Sequence, residues 1–407
     1  MNFINSRWAK GIVMGLGGLA LGSSLGCSSL SEKLSLSHVL PSGGAREFQL
    51  EPRLTRFTGE QEFFGYRRMH RATPWLVGDA VIIANAIDGV VKYDANTGRE
   101  IWRFKVDGGV EGGVSVAEER VYFGGGDGNV LAVDLRTGKE LWRFAARADI
   151  LSAPSVSGDR VYLQTGADVV VALERESGKL AWLYNRQMTG NLSIRSTSQP
   201  TVHQDRVYAG FADGFVVSLR ARDGAMQWER KLGKASRFRD VDATPVIRGQ
   251  RLFTASFDGS LVALNLESGE VSWQVDLGGY TPVRLHEAES KLYFSTHDGR
   301  LVELDESSGK VLRELKLKRG MATRPAISPT GNLMVFGESE GRIQLVNLEN
   351  FQGVASYATG EGVVGEPVFD RQRQQIWVMS LGGNLLALKL NHKKVAERFP
   401  WSRTRKP

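Results

Sequence analysis

Side chains able to do covalent or metal chemistry are sparse in this 407-residue chain. The six histidines, His38, His70, His203, His286, His297 and His392, fall at no spacing that a metal site uses. Carboxylates lie mostly in turns, where they serve backbone geometry, whereas a hard cation needs several convergent oxygens. No Ser-His-Asp arrangement, phosphate loop or dinucleotide fingerprint stands out. Catalytic residues, metals and cofactors are therefore not expected. What remains is the chemistry of recognition. The stretch NRQMTGNLSIRSTSQP, 185–200, sets Leu192 and Ile194 beside Arg195, and GKASRFRDVDATP, 233–245, alternates Asp240 with Asp242. An apolar pair next to an arginine in a loop has the make-up of a binding hot spot, and the five residues are expected to share one exposed patch. The simpler alternative is that Arg195 neutralises the two aspartates while the apolar pair fills a gap beneath.

These loops interrupt a repeat. The unit is DGNVLAVDLRTGKELW, Asp127 to Trp142, which reads strand, turn, strand. Gly at the second turn tolerates positive φ, and Trp142 brings a large apolar face that one hairpin cannot bury. Copies end at Trp102, Trp182, Trp228 and Trp273. The turn glycines Gly98, Gly138, Gly178, Gly224, Gly269 and Gly309 are spaced by 40, 40, 46, 45 and 40 residues. After Gly309 the Trp place holds Arg313, and after Gly353 it holds Tyr357, so the motif decays towards the C-terminus. A proline opens each unit, at Pro74, Pro154, Pro200, Pro245, Pro282, Pro325 and Pro367, with Val114 filling the one gap. Both landmarks count to eight. A period of about 40–45 residues with several short strands predicts an all-β fold, an eight-bladed β-propeller of four-stranded antiparallel blades. The Pro-led strand should be innermost and the Trp strand outermost, with the tryptophans wedged between blades. The two longer spacings put both loops ahead of inner strands in adjacent blades, on one end of the ring, where a rigid scaffold carries function.

The last unit, Pro367 to Leu390, lacks a fourth strand, and an open edge is an aggregation hazard. A strand from within 46–65 is expected to close it. Domain bounds follow: residues 1–26 a signal peptide, 27–45 a tether, 46–391 the propeller, 392–407 a basic tail. Arg7 and Lys10, an apolar run from Gly11 to Leu21 and SSLGC ending at Cys27 give the order of a secretory signal, and the run is too short to span a bilayer. Cys27 is the single cysteine, so no internal disulfide can form. Its place after Leu25 and Gly26 resembles a bacterial lipobox, with Ser24 where Leu is usual, and marks it for lipidation. The alternative is an ordinary signal cut nearby. Ser28 in place of Asp favours the outer membrane. The charge of +7 is scattered along the repeats, which indicates a solvated surface and no nucleic-acid partner.

The motif A-x-D-x-x-T-G-x-x-x-W, Ala132 to Trp142, resembles the docking motif of the pyrroloquinoline-quinone propellers. That resemblance implies an eight-bladed ring and, in enzymes of the group, a quinone and Ca²⁺ in the shaft. Those enzymes are usually longer and often carry an adjacent cysteine pair, which one leader cysteine cannot supply. Leader, lipobox and ring together with LSIRSTSQPTV, 192–202, and RFRDVDATPVI, 237–247, resemble the BamB family of outer-membrane assembly lipoproteins. That resemblance implies a non-catalytic scaffold, lipid-anchored in the cell outer membrane and facing the periplasm. It also implies that Leu192, Ile194, Arg195, Asp240 and Asp242 contact the periplasmic domains of a BamA-like barrel-assembly subunit, with unfolded outer-membrane proteins as a further partner class. The alternatives are a quinone-dependent dehydrogenase or a periplasmic adaptor of another envelope complex.

Overall fold

Each repeat folds as one antiparallel sheet of four strands, and eight such blades form a ring, an eight-bladed β-propeller. The computed structural model describes residues 38–39, 48–56, 70–186, 198–234 and 238–392. Cys27 and its leader, the tail beyond His392, and Leu192, Ile194 and Arg195 lie outside those residues. Blade 3 shows the local logic. Its strands are Ser155–Ser157, Arg160–Gln164, Val169–Glu174 and Leu180–Asn185. The first is short and half-buried along the shaft. The middle two are buried almost throughout, because a neighbouring blade packs on each face. The fourth alternates, with Trp182 turned inward.

The expected wedge is met, and its partner is specific. Each tryptophan lies on the turn glycine of the next blade. A Cβ on Gly178 would come within 2.6 Å of the Trp142 ring, and Gly138, Gly224, Gly269 and Gly309 meet Trp102, Trp182, Trp228 and Trp273 in the same way. The indole N–H donates to a carbonyl of that turn, Trp142 to Arg175 at 2.9 Å and Trp182 to Ala221 at 2.8 Å. Gly178 also needs its φ of +68°. In blades 1 and 2 the Asp that opens the turn accepts from the Thr three residues on. Thr137 N lies 2.7 Å from Asp134 Oδ1, and hydrogen bonds from Thr137 hold that carboxyl below its usual range.

Blade 7 departs from this scheme. The sequence reading takes Gly353 as its turn glycine and Tyr357 as the Trp equivalent. The register instead pairs Val346 with Gly353 and Leu345 with Ala355, as Leu304 pairs with Val311 and Glu303 with Arg313 in blade 6. The Trp place is therefore Ala355, and the turn place is Phe351, at φ +57°. Trp and Gly are replaced as a pair. Arg313 of blade 6 lies over the Phe351 ring at 4.8 Å and donates to Leu348 O at 2.8 Å and Glu349 O at 2.9 Å.

Closure follows the expectation. Phe48–Arg56 is the outer strand of blade 8, antiparallel to Leu385–His392, with partners from Phe48–His392 to Arg56–Leu385. Pro52 sits at a register shift on this outermost strand, where a missing N–H is tolerated. The strand also docks on blade 1. Arg56 Nε donates to Gly98 O at 2.6 Å, and Leu54 covers that glycine as tryptophans do elsewhere. Within the stretch read as tether, His38–Val39 pairs in parallel with Leu315–Lys316 on the outside of blade 6.

Candidate partner-binding surface

The described ends of the two long connections meet. Arg186 is the last described residue before the first, which resumes at Ser198, and Gln199 N donates to Thr244 Oγ1 at 2.9 Å in the second. Both enter inner strands of adjacent blades, Thr201–His203 of blade 4 and Val246–Arg248 of blade 5, as the spacing predicted. The part carrying Leu192, Ile194 and Arg195 lies outside the described residues. Asp240 and Asp242 can be placed, and they differ from expectation. Their residues are 0 % and 4 % exposed, and Val241 between them is fully buried. The reason is the backbone. Val241 N donates to Phe211 O at 3.1 Å, and Asp240 O accepts from Phe257 N at 2.9 Å. Gly210 allows a contact closer still, since a Cβ there would fall 2.1 Å from Val241 O. The segment is stitched between blades 4 and 5, so alternation of Asp, Val and Asp does not here mean alternation in and out.

The residue that does face out is Phe238, 47 % exposed and in the left-handed region at φ +53°. A bulky side chain held there is strained, and such strain collects at functional sites. Sequence reading passed over it, although an aromatic in the otherwise polar GKASRFRD was a visible signal. Beside it, Arg239 packs on Gly214 and Gly233, where no side chain intervenes.

Arg186 anchors the root of the first connection. It pairs with Asp213 and, at 2.7 Å, with Glu229, and its guanidinium stacks 4.4 Å from the Phe215 ring. Directly beneath lies Asp168, buried, at φ +58°, whose carbonyl accepts from Arg186 N at 3.4 Å. Gln164 Nε2 donates to its carboxyl at 3.3 Å. Burial pushes that carboxyl up to about 6, and the neighbouring charges of Asp213 and Asp240 add to the rise. Arg186 with Asp213, Glu229, Asp168 and Asp240 thus lies under the meeting point of the two connections, an arrangement suited to holding loops in shape. Among the described residues, no three His, Cys, Asp or Glu side chains are grouped as a metal would need.

A sequence model of the family described as outer membrane protein assembly factor BamB matches residues 87–315, more than half of the chain. Among solved structures, BamB from Moraxella catarrhalis is 22 % identical, covering 84 % of this chain and 99 % of that one, with a TM-score of 0.71. A europium-containing methanol dehydrogenase is 14 % identical, with 84 % and 93 % covered and a TM-score of 0.71. Quinohemoprotein alcohol dehydrogenase from Comamonas testosteroni is 14 % identical, with 79 % and 74 % covered and a TM-score of 0.65. At these identities the likeness is one of fold. No curated protein matches the chain.

Proposed function

We propose, because the chain belongs to the family of outer membrane protein assembly factor BamB, that it is a non-catalytic scaffold lipoprotein of the outer-membrane β-barrel assembly complex. In this reading Cys27 carries the lipid, the ring faces the periplasm, and the surface of blades 3 to 5 holds the periplasmic domains of a BamA-like subunit. The observation that carries it is the pairing of the two long connections through Gln199 and Thr244 on adjacent blades. That pairing makes one surface from segments about 45 residues apart. Leu192, Ile194 and Arg195 supply the contacts. Asp240 and Asp242 act from below, as buried posts that fix the second connection. Orienting a partner on a rigid ring requires no reaction at the site.

The rival is the quinone-dependent dehydrogenase, whose fold the solved dehydrogenases share. Its Ca²⁺ would need convergent, uncommitted oxygens. Among the described residues, the carboxylate that precedes the inner-strand proline of blade 8, Glu366, is instead paired with both Arg284 and Arg324. Two guanidiniums repel a divalent cation, so this donor set does not fit it.

The test is an Arg195→Ala, Ile194→Glu double variant, purified from membranes together with its partners. Loss of a central arginine contact costs about 2 kcal/mol or more, so capture of the barrel subunit should weaken at least about tenfold while the melting temperature holds. Full capture by the folded variant would overturn the assignment. An absorption band appearing on addition of quinone and Ca²⁺ would favour the dehydrogenase.

A further inference from the structure

The inner strands of neighbouring blades are tied by a repeated bond. Ser115 Oγ donates to Pro154 O, Ser155 Oγ to Pro200 O, and Thr201 Oγ1 to Pro245 O at 2.6 Å. The series breaks at Val246 and resumes in blade 6 with a charged group, Arg284, whose Nε donates to Pro325 O at 2.7 Å. At the residue before each inner-strand proline or its Val114 equivalent, blades 1 to 6 are uncharged, but blade 7 has Arg324 and blade 8 has Glu366. Arg324 Nε donates to Val283 O at 3.2 Å. Both guanidiniums then converge on the one carboxylate: Arg284 Nη2 pairs with Glu366, and Arg324 Nη1 lies 3.4 Å from its other oxygen. Hydroxyls suffice to tie the blades elsewhere, so the tie alone does not call for two cations.

We propose that the shaft between blades 6 and 8 binds a small oxyanion, of the phosphate or carboxylate kind, on the guanidiniums of Arg284 and Arg324. Three observations support it. A cavity of 310 Å³ opens between the inner strands of the three blades, with room for a small molecule; Arg284 and Glu366 line it, while Arg324 does not line it and is joined to it through Glu366. Two positive groups share one negative group, each with only about a quarter of its side chain accessible (26 % and 25 %), and a surplus charge held there is costly until an anion joins it. Finally, Arg284 Nη1 and Arg324 Nη2 have no recorded partner among the described residues, and guanidinium N–H pairs are suited to oxyanions. At the mouth, exposed Glu287 also acts on Arg284, and exposed Arg371 beside it carries the opposite charge, so the five groups together keep one net positive charge. The electrostatics agree. Burial pulls Arg284 down to about 10, and burial together with repulsion from Arg284 lowers Arg324 well below its ordinary value. His286, which also lines the cavity, accepts from Ala288 N and Glu289 N on Nδ1 and so turns its Nε2–H to Gly331 O at 3.1 Å, a neutral turn cap.

The experiment is calorimetric titration of the full mature protein with inorganic phosphate, and separately with succinate, in low-chloride buffer, with melting curves on every variant. Saturable one-site binding of either anion is expected, and the arm that binds identifies the class. Arg324→Gln and Arg284→Gln should each weaken it by about tenfold or more, and Glu366→Gln, which enlarges the surplus, should tighten it severalfold. The Glu366 variant separates the proposal from a purely structural triad, which would lose melting temperature and bind nothing. No saturable binding of either anion to the folded wild type, or unchanged affinity in folded Arg324→Gln, would overturn it.

Discussion

Blades 1 to 5 and blades 6 to 8 meet the same packing problem with different side chains. In the first set each blade lays a tryptophan on the glycine of the next, and the five contacts are copies of one another. In the second set arginines do the joining: Arg313 on Phe351, Arg284 and Arg324 through Glu366, and Arg56 on the turn of blade 1. Arg373 adds a further link, donating to Asn96 Oδ1 at 2.8 Å across the seam. A tryptophan buries area without regard to charge, whereas an arginine acts through carbonyls and carboxylates and depends on every partner being in place. Repetition thus marks where tryptophan packing carries the joint, with the indole hydrogen bond and arginines such as Arg120 and Arg206 adding to it. Variation marks where the chain closes on itself.

The seam is where the comparison breaks most readily. Deleting Phe48–Arg56 exposes the full edge of Leu385–His392 and removes Leu50, uncovering the buried side chains it packs with, Ile376 and Leu388 among them. The melting temperature should fall by several degrees or the protein should aggregate, read by scanning calorimetry and light scattering. A monodisperse protein with an unchanged melt would mean that the eighth blade is stable on three strands.

Single substitutions sharpen the contrast. Trp142→Ala removes a buried docking side chain and should cost about 3–5 kcal/mol, with little dependence on pH or salt. Arg313→Ala should cost about 3 kcal/mol by another route, because it leaves Glu303, a 1 % exposed residue, without its bidentate partner. Adding Glu303→Gln to the Arg313→Ala variant should therefore recover part of the deficit, because it removes the charge left without its partner, read by denaturant melts. No recovery would show that this joint, like the tryptophan joint, rests on packing alone.

The regular half was legible because its signals are local. Gly178 and Trp182 lie four residues apart, and no knowledge of the fold is needed to find them. The closing strand was legible by deficit, since Pro367 to Leu390 is one strand short. Arg313 was seen only as a missing tryptophan, because its role depends on Phe351 and two carbonyls about 36 residues away. Gly353 misled for a related reason: it follows the usual spacing, but Phe351 takes the turn. Asp240 and Asp242 look like surface residues in any window of sequence. Their burial comes from the contact of Val241 with Gly210, which no periodicity encodes.

The smallest effect lies within the regular half, under the two connections, and is one of charge. Among the described residues, Asp168 has no arginine of its own. Gln164 and a backbone N–H from Ala212 serve its carboxyl, while Arg186 above is committed to Asp213 and Glu229. Its folded pKa is about 6 against 3.8 unperturbed, so between those values the native chain binds a proton that the unfolded chain does not. Stability from this group is therefore greatest below about 4 and is lost as pH rises through about 6, a swing of about 3 kcal/mol. Asp168→Asn keeps an acceptor and cannot ionise. It should leave stability at pH 3.5 nearly unchanged and raise it at pH 7.5, flattening the difference between the two. The same change relieves repulsion on Asp213 and Asp240, so the neutral-pH gain should be largest at low salt. If Asp168→Asn is destabilising at pH 7.5, the carboxylate is paired in the native state, and the buried posts of the regular half depend on ion pairing just as the seam does.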